Sequence, residues 1–540
     1  MSAAYSVPRS AQPTDLHLDA NEGALCADHE DRRYPDLREL RARLATLWKA
    51  REEELLLTAG ADDALERVLR FALRERREVV LPVPAFEMIE RYARGAGGIV
   101  RAVPYDRRGY PLEGVLAACS EATGLVAVVS PDNPTGAVIA ADQWEHLERR
   151  TRGIPKLVDL AYIEFADEDC VDRVRASPDA IVVRTLSKAW GMAGLRIGGA
   201  IAAPATIEAL RAIGAPYPVS SASARIATRR LAGAPAGIEQ VRSERTRLRE
   251  LLVSLGARPW PSQANFVLAE TRDPEWIRDA CAGMGIAVRA FPGRDGLERA
   301  VRIACPGDEA AYRRLEAALA CVFAPEALLF DMDGVLADVS RSYRVAILET
   351  VRAFGGVADP GAIARAKRAG DANDDWELSR KLLAEQGIAA SLADVVECFE
   401  RVYAERELHR EESLRVDRER LRRWSRSRPM CVVTGRPRRD AERFLEQHSI
   451  GDCFRVVVAR EDAPIKPDPA PVRLALTNLG VERAWMLGDT PDDIVAARAS
   501  GVLALGVSAP GEHSVENIAC LSKAGAARVW SEVPDLEELL

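Results

Sequence analysis

The chain has 540 residues, of which 48% are hydrophobic and 29% are charged, and its formal net charge at pH 7 is −8. This length predicts roughly three to four domains of ordinary globular composition, and the acidic balance argues against partners such as nucleic acid or an anionic membrane. No stretch approaches the roughly 18 consecutive apolar residues of a membrane span, and residues 1–23 lack the apolar core of a signal peptide.

The ten cysteines are scattered, without a CxxC pair or a cluster with histidine. This distribution argues against a zinc site and against a disulfide framework. The six histidines lie outside every motif described below. We therefore expect a protein of the reducing cytoplasm.

Apolar strand-like runs alternate with amphipathic helical stretches along the whole chain, which predicts an α/β fold. The best boundary lies near CVFAPEALLFDMDG (321–334), where a helical run meets Pro325 and a new apolar strand follows. We expect one domain group over residues 1–322 and another over residues 327–540.

Four stretches of the first half place polar residues after strands. They are LLLTAGADDALERVLRFAL (55–73), SPDNPTG (130–136), LVDLAYIEF (157–165) and RTLSKAWGMAGLRIG (184–198). Taken singly, each fits a structural role such as a helix cap or a turn. The start of the helix in the first stretch also offers free backbone N–H groups to an anion.

The fourth stretch contains Lys188, one of only seven lysines among 74 basic residues. Because most of the basic residues in this chain are arginines, a lysine at this position indicates chemistry that needs a primary amine. An arginine could not take this role, because its guanidinium does not deprotonate at accessible pH.

Together, in this order, the four stretches resemble the fold-type I pyridoxal-phosphate aminotransferases, most closely their histidinol-phosphate aminotransferase branch, over residues 15–320. The resemblance implies a large and a small domain and pyridoxal phosphate as cofactor. Lys188 would hold the cofactor as a Schiff base and then move the substrate's proton. Asp159 would pair with the pyridine nitrogen. The other residues implied to bind the cofactor are Gly60, Ala61, Asp62, Phe86, Asn133, Tyr162, Ser187 and Arg196.

Three further residues of the first half follow from the same resemblance. Arg289 and Arg302 would bind the anionic end of the substrate, since a guanidinium suits a carboxylate or a phosphate. Tyr34 would reach the cofactor of a neighbouring subunit, which implies a homodimer. The chain departs from the family at three positions, Leu160, Gly199 and Pro218, and these departures weaken the transfer of substrate specificity.

The second half carries four motifs in a fixed order. They are ALLFDMDGVLAD (327–338), CVVTGRP (431–437), IKPDP (465–469) and MLGDTPDD (486–493). An acidic DxD motif alone is also typical of calcium loops and turns. The complete set resembles the haloacid-dehalogenase-type phosphatases over residues 327–540, which have a Rossmann-like core with a helical cap.

The resemblance implies a role for each motif. Asp331 would attack phosphorus, Asp333 would act as general acid and then as general base, and Lys466 and Thr434 would bind the phosphoryl oxygens. Mg²⁺ would be held by Asp331, by the backbone carbonyl of Asp333 and by Asp489. Asp493 would stabilise the metal site or Lys466 without binding the metal directly.

The mostly helical insert between about residues 338 and 428 is expected to be the cap that selects the substrate. Its lysines, Lys367 and Lys381, are expected to face solvent, although a phosphonate-cleaving relative would use a cap lysine for a Schiff base. The run RERLRRWSRSR (418–428) is interpreted as a solvated helix and not as a nucleic-acid site.

An aminotransferase and a phosphatase in one chain suggest consecutive reactions. The hypothesis is transamination between glutamate and imidazole-acetol phosphate, followed by hydrolysis of histidinol phosphate to histidinol. Four alternatives stay open: another phosphorylated amino ketone or amino alcohol, a first half that decarboxylates phosphothreonine, a second half that hydrolyses free pyridoxal phosphate, and a second half that only binds phosphate compounds as a regulatory module.

Overall fold

A computed structural model describes residues 34–105, 107, 109–370 and 374–539. The expectation that no signal peptide is present concerns residues 1–23, which lie outside the described residues. Within the described part of the chain, every helix is too short or too polar to cross a membrane.

The strands of the described chain alternate with helices. They are β1 Leu55–Thr58, β2 Glu78–Val83, β3 Ile99–Pro104, β4 Thr123–Val129, β5 Lys156–Asp159, β6 Ala180–Thr185, β7 Gly198–Ile201, β8 Arg258–Pro259, β9 Phe266–Glu270, β10 Arg289–Ala290, β11 Ala300–Ala304, β12 Ala327–Phe330, β13 Ala337–Asp338, β14 Ser413–Leu414, β15 Met430–Val433, β16 Val456–Val458, β17 Ala484–Gly488, β18 Leu503–Val507 and β19 Val529–Trp530.

The α-helices surround these strands. They are α1 Arg38–Leu47, α2 Gly60–Ala72, α3 Glu87–Gly95, α4 Leu112–Ala118, α5 Ala141–Arg150, α6 Val171–Arg175, α7 Pro204–Arg211, α8 Ser221–Arg230, α9 Ile238–Ser254, α10 Pro274–Gly283, α11 Glu309–Phe323, α12 Tyr343–Ala353, α13 Pro360–Ala369, α14 Asp375–Ala384, α15 Leu392–Glu405, α16 Arg418–Ser427, α17 Arg438–Gln447, α18 Ala470–Leu479, α19 Pro491–Ala499, α20 Val515–Ala524 and α21 Leu536–Leu539.

The chain divides into two compact units, the first made of residues 1–272 and 291–312, the second of residues 273–290 and 313–540. The first unit contains a seven-stranded sheet of order β1-β7-β6-β5-β4-β2-β3. Strand β7 runs antiparallel to both its neighbours, and the other pairs are parallel. Strands β4, β5 and β6 are almost wholly buried, as expected where helices cover both faces of a parallel sheet.

The second unit contains a six-stranded sheet of order β16-β15-β12-β17-β18-β19. All of its strand pairs are parallel. Strand β12 lies between β15 and β17, so three chain segments far apart in sequence end side by side. Their polar ends therefore share one edge of the sheet, where ligands bind in open α/β folds.

Helices α12 to α15 form the insert between β12 and β15. The chain enters and leaves this insert through β13 and β14, which pair antiparallel with Ala337 opposite Leu414. An aromatic group fills its interior: Tyr343 lies 5.7 Å from Phe399 and 5.0 Å from Tyr403 between ring centroids. The insert is thus a small helical bundle with its own apolar centre. This agrees with the prediction of an α/β core that carries a helical cap.

Candidate active sites

Most of the residues predicted to hold pyridoxal phosphate line a single cavity in the first unit, with a volume of about 140 Å³. The sheet explains this convergence, because Asn133 follows β4, Asp159 ends β5 and Lys188 follows β6, three adjacent parallel strands. The predicted residues that line the cavity are Ala61, Asp62, Phe86, Asn133, Asp159, Tyr162, Ser187, Lys188 and Arg196.

Asp159 is the buried acid of this cavity, with 4% of its surface exposed. It accepts a hydrogen bond from the backbone N–H of Ala161 at 3.0 Å. Burial raises the pKa of its carboxyl to about 6, while the charge of Lys188 acts in the opposite direction. A buried carboxylate of this kind favours a cationic partner, and a protonated pyridine nitrogen fits this requirement.

The helix start beside the cavity is shaped for an anion. Gly60 begins α2 with φ +78°, and a Cβ at this position would lie 2.6 Å from Nη2 of Arg196. Arg196 also forms an ion pair with Asp62 at 2.8 Å, and Oγ1 of Thr185 donates to Oγ of Ser187 at 2.9 Å. Free N–H groups, a guanidinium and hydroxyls together suit a phosphate, so the residues present fit the cofactor.

The predicted substrate residues of the first half have different outcomes. Nη1 of Arg302 donates to Oδ1 of Asn133, which brings this arginine to the cavity. Arg289 is exposed in β10 and belongs to the second compact unit, and its role stays a prediction. Tyr34 is 46% exposed and stacks on Tyr217 with ring centroids 4.3 Å apart, and its role at a neighbouring subunit also stays a prediction.

Asp132 is a buried acid in the turn SPDNPTG, and no role was predicted for it from the sequence. Its Oδ2 accepts hydrogen bonds from the backbone N–H and from the hydroxyl of Thr135, at 3.0 and 2.6 Å. Burial raises the pKa of Asp132 to about 7, against these two hydrogen bonds. Its position between the strand end and Asn133 could have drawn attention to it.

In the second unit, Lys466 joins two of the predicted acidic residues. Its Nζ lies 2.6 Å from Oδ1 of Asp331 and 2.6 Å from Oδ1 of Asp493, and it donates to the carbonyl of Val433 at 2.9 Å. Asp493 also accepts hydrogen bonds from the N–H and the hydroxyl of Thr490. Burial opposes the charge of Lys466, but Asp331 and Asp493 raise its pKa, so the ammonium is retained.

Three of these acids are placed to share one cation. Carboxylate oxygens of Asp331, Asp489 and Asp493 lie within 4.8 Å of one another. Burial, and then the neighbouring carboxylates, raise the pKa of Asp489, and the pKa of Asp331 is raised to about 7, mainly by burial and against the charge of Lys466. A cluster of buried oxygen ligands that repel one another fits a hard divalent ion such as Mg²⁺.

Gly334 explains why the acidic turn DMDG ends in glycine. Its φ is +76°, and a Cβ there would lie 2.1 Å from Oδ2 of Asp489. The turn after β12 can therefore approach the end of β17 only because this residue has no side chain. Thr434, at the end of β15, is buried and accepts a hydrogen bond from the N–H of Arg436 at 3.1 Å.

Asp333 lies apart from the three clustered acids, because its carboxylate pairs with Arg436. Nε of Arg436 donates to Oδ1 of Asp333 at 2.7 Å, and Nη1 donates to Oε2 of Glu412 at 2.8 Å. The guanidinium also lies 4.5 Å from the ring centroid of Tyr343. Neither Arg436 nor Glu412 was predicted from the sequence, although Arg436 lies within the motif CVVTGRP.

The expectation that Lys367 faces solvent is wrong. Only 8% of its surface is exposed, and Nζ lies 3.4 Å from Oδ1 of Asp375. The pairing explains the burial, since an ammonium enters the protein interior only with a compensating charge. Lys381, the other cap lysine, is partly exposed on α14.

Comparison with known proteins assigns both halves. The family model "Aminotransferase class I and II" matches residues 4–319, more than half of the chain. The chain belongs to the class I and II aminotransferase family. A second model, "haloacid dehalogenase-like hydrolase", matches residues 325–501. The predicted family resemblances, the α/β fold class and the prediction of an enzyme with an aminotransferase and a hydrolase part are therefore confirmed.

Two curated proteins illustrate the similarity. An imidazoleglycerol-phosphate dehydratase of Phytophthora nicotianae is 42% identical over 234 residues, which cover 40% of this chain and 52% of that protein. A histidinol-phosphate aminotransferase of Xanthomonas axonopodis pv. citri (strain 306) is 37% identical over 338 residues, which cover 58% of this chain and 93% of that protein. The chain thus spans about half the length of the first relative and nearly all of the second.

Among solved structures, the histidinol-phosphate aminotransferase of Sinorhizobium meliloti in complex with pyridoxal-5'-phosphate is similar to this chain. It shows 27% sequence identity and a TM-score of 0.49, over 54% of this chain and 82% of that one.

Proposed function

We propose that the chain is a bifunctional enzyme of histidine biosynthesis that carries out two consecutive steps. The first transfers an amino group between glutamate and imidazole-acetol phosphate and gives histidinol phosphate and 2-oxoglutarate. The second hydrolyses histidinol phosphate to histidinol and phosphate. The observation that carries this proposal is the presence of two separate constellations, one around Lys188 and Asp159, the other around Asp331 and Lys466.

In the first site, pyridoxal phosphate supplies a ring that accepts electrons when a substrate loses its Cα proton. Lys188 would hold the cofactor through its amine, and once released the same amine would move that proton. Asp159 keeps the pyridine nitrogen protonated through its buried negative charge. Arg302, which donates to Asn133, binds the substrate's anionic group at the edge of the cavity, and Asn133 binds the cofactor.

In the second site, Mg²⁺ supplies positive charge that offsets the repulsion between carboxylates and phosphate. Asp331 attacks phosphorus and forms an aspartyl-phosphate, while Lys466 and Thr434 stabilise the phosphoryl oxygens. Asp333 gives its proton to the departing alkoxide and later takes a proton from water. The second acid of the DxD motif therefore favours phosphate ester hydrolysis, since an alkoxide needs a proton and a halide does not.

The substrate assignment rests on the relatives. A protein named histidinol-phosphate aminotransferase is 37% identical to this chain and is covered over 93% of its length, and the phosphate of such a product is the group that a haloacid-dehalogenase-type phosphatase removes. We further propose the boundaries 1–322 and 327–540, a cap over about residues 338–428, a homodimer formed by the aminotransferase half and a cytoplasmic location.

The decisive experiment measures phosphate release by the purified protein with Mg²⁺. Histidinol phosphate is compared with other phosphorylated amino alcohols and with free pyridoxal phosphate, and amino transfer from glutamate is measured in parallel. Preference for histidinol phosphate in the hydrolysis assay, and for imidazole-acetol phosphate as the amino acceptor, supports the proposal. If another phosphomonoester has a higher kcat/KM, that compound is the substrate of the second half. Release of carbon dioxide from phosphothreonine indicates that the first half is a decarboxylase. Binding of phosphate compounds without turnover indicates that the second half is a regulatory module.

A further inference from the structure

Lys367 is a buried cation that neither proposed reaction uses. It lies on α13 of the cap, paired with Asp375 at the start of α14. Two helices are thereby joined by an ion pair that is about nine-tenths buried on both sides, with 9% and 11% of the side chains exposed. Such a pair is costly to bury and is weak evidence for a purely stabilising role, so its position in the cap calls for a functional explanation.

The end of α13 lies against the acidic first turn of α19 in the hydrolase core. A Cβ on Gly370 would be 3.3 Å from Oδ1 of Asp492, a neighbour of Asp493. Nearby, Sγ of Cys520 contacts the carbonyl oxygen of Arg368 at 3.1 Å. Burial opposes the charge on Lys367, but Asp375, and more weakly Asp489 and Asp333, raise its pKa. The ammonium therefore lies within electrostatic reach of the candidate metal site.

Arg344, on α12, is a second cation on the same side of the cap. Nη2 donates to Oε1 of Glu512 at 2.9 Å, and Glu512 follows β18 at the edge of the sheet where the site lies. Nη1 is buried and donates no hydrogen bond within the described part of the chain. The charge of Arg344 also lowers the pKa values of Asp489, Asp375 and Lys367.

We propose that Arg344 and Lys367 form an oxyanion-binding subsite on the cap, facing the acidic cluster of the hydrolase core. The inference rests on the proposed phosphatase function and names the cap residues that bind its substrate. The free donor of Arg344 and the ammonium of Lys367 suit an oxygen of the phosphoryl group. A second acidic group of the substrate, such as a carboxylate, has the same chemistry and is the other possible source of the oxyanion.

The unused hydrogen-bond donor of Arg344 favours an anion over the amine of a substrate. Burial and the charge of Asp333 raise the pKa of Asp375, while its partner Lys367 and, more weakly, Arg344 lower it. An incoming ammonium would meet a carboxylate already compensated, whereas a phosphate dianion would meet an unused donor. Binding of the dianion would also link α12 and α13 to the core, so substrate binding and cap closure would favour each other.

The test measures the affinity of inorganic phosphate by calorimetry in the presence of Mg²⁺, together with KM and kcat for phosphate esters. The variants are Lys367→Met and Arg344→Met, with Lys381→Met as the control on the same cap. We expect the dissociation constant of phosphate and the KM of the esters to rise about 10- to 100-fold in the first two variants and to stay unchanged in the control. Lys367→Arg should recover part of the affinity because it restores the charge.

The double variant Lys367→Met/Asp375→Asn controls for misfolding. It removes both charges of the buried pair, so no unpaired charge is left in the interior of the cap. Weaker phosphate binding in this folded variant supports the subsite. Weaker binding only of esters with a second acidic group also supports it and assigns the oxyanion to that group. Unchanged phosphate affinity and unchanged KM values in all variants overturn the inference.

The two proposals fail in distinguishable ways. If the wild-type protein hydrolyses phosphate esters and the variants match it, the subsite is wrong and the phosphatase stands. If the wild-type protein binds phosphate without turnover and the variants bind it more weakly, the subsite stands and the phosphatase is wrong. A wild-type protein that does not bind phosphate with Mg²⁺, and whose KM values for all esters are the same in the variants, overturns the subsite.

Discussion

Arg436 holds the carboxylate of Asp333 and the carboxylate of Glu412 with one guanidinium. Asp333 belongs to the turn after β12, whereas Glu412 directly precedes β14, the segment by which the chain leaves the cap. The side chain of Arg436 is 1% exposed, so this bridge is screened from water. The proposed general acid of the hydrolase is thus tied to the boundary of the cap through a single residue.

Replacement of Arg436 by glutamine should lower kcat for phosphate ester hydrolysis about 10- to 100-fold, because Asp333 loses the group that orients it. It should also lower the free energy of unfolding by about 3–5 kcal/mol, since the buried Glu412 loses its cation, although it keeps the hydrogen bond from the hydroxyl of Tyr403. Steady-state kinetics and urea unfolding measure both effects. Arg436→Lys keeps the charge and should restore most of the stability but less of kcat, and equal recovery of both would contradict a positioning role.

The two active sites should be separable by single substitutions. Lys188→Ala should abolish amino transfer and leave phosphate ester hydrolysis unchanged, because it removes the amine and touches only the first unit. Asp331→Asn should have the reverse effect, with a loss of hydrolysis of at least about 10²-fold since the nucleophile is missing. Lys49→Arg, at a side chain 61% exposed, is the control for lysine replacement. Loss of both activities in either variant would show that the halves depend on each other.

Gly334→Ala should abolish hydrolysis, because the new Cβ would occupy the place of Oδ2 of Asp489. Gly355→Ala is a matched control: its φ of +83° is similar, but a Cβ there meets nothing within 4 Å. Both variants should lose about 1 kcal/mol of stability from the left-handed backbone, measured by thermal unfolding. Only Gly334→Ala should also lose Mg²⁺ affinity. A similar loss of hydrolysis in both would mean that backbone strain, and not the clash, disables the site.

Asp132 should make the stability of the aminotransferase half depend on pH. Burial raises its pKa to about 7 in the folded chain, so the protonated carboxyl stabilises the fold at low pH, and this contribution is lost as the pH rises from about 4 through 7. Asp132→Asn is neutral at every pH and can still accept hydrogen bonds from Thr135. We expect the variant to be about 2–4 kcal/mol more stable than the wild type at pH 8.

The measurement is denaturant unfolding between pH 4 and pH 8 with saturating pyridoxal phosphate. The difference between Asp132→Asn and wild type should vanish toward pH 4 and grow toward pH 8. Asp172→Asn, at a carboxylate 69% exposed, serves as the control and should show no such trend. A constant difference across the range would show that Asp132 does not titrate in it.

The sequence predicted the residues at the ends of strands well, because parallel strands bring their carboxyl ends together. Asp159, Lys188, Asp331 and Asp489 belong to this group, and each lies at or just after a strand end, while their chemical roles stay predictions that the family resemblances imply. The α/β class followed from the same alternation of strands and helices.

Residues whose role depends on a tertiary partner could not be predicted in this way. Arg436 is one of 74 basic residues, and its pairing with Asp333 and Glu412 follows only once the cap joins the core. Lys367 was assigned to solvent because helical periodicity does not show which face of α13 lies on Asp375. A local sequence pattern identifies the functional residues at a strand end, but it does not identify the charged residue on a distant helix that contacts them.

The central position of β12 in its sheet has a consequence for the order in which the chain folds during synthesis. Asp331 follows β12, but its neighbours β15 and β17 begin only at Met430 and Ala484, and its cation, Lys466, lies between them. The cap helices in between make contacts that are close in sequence and can form earlier. β12 therefore gains its second neighbour only when β17 has been synthesised to Gly488, and the hydrolase sheet is complete only at Trp530, whereas the aminotransferase sheet already ends at Ile201.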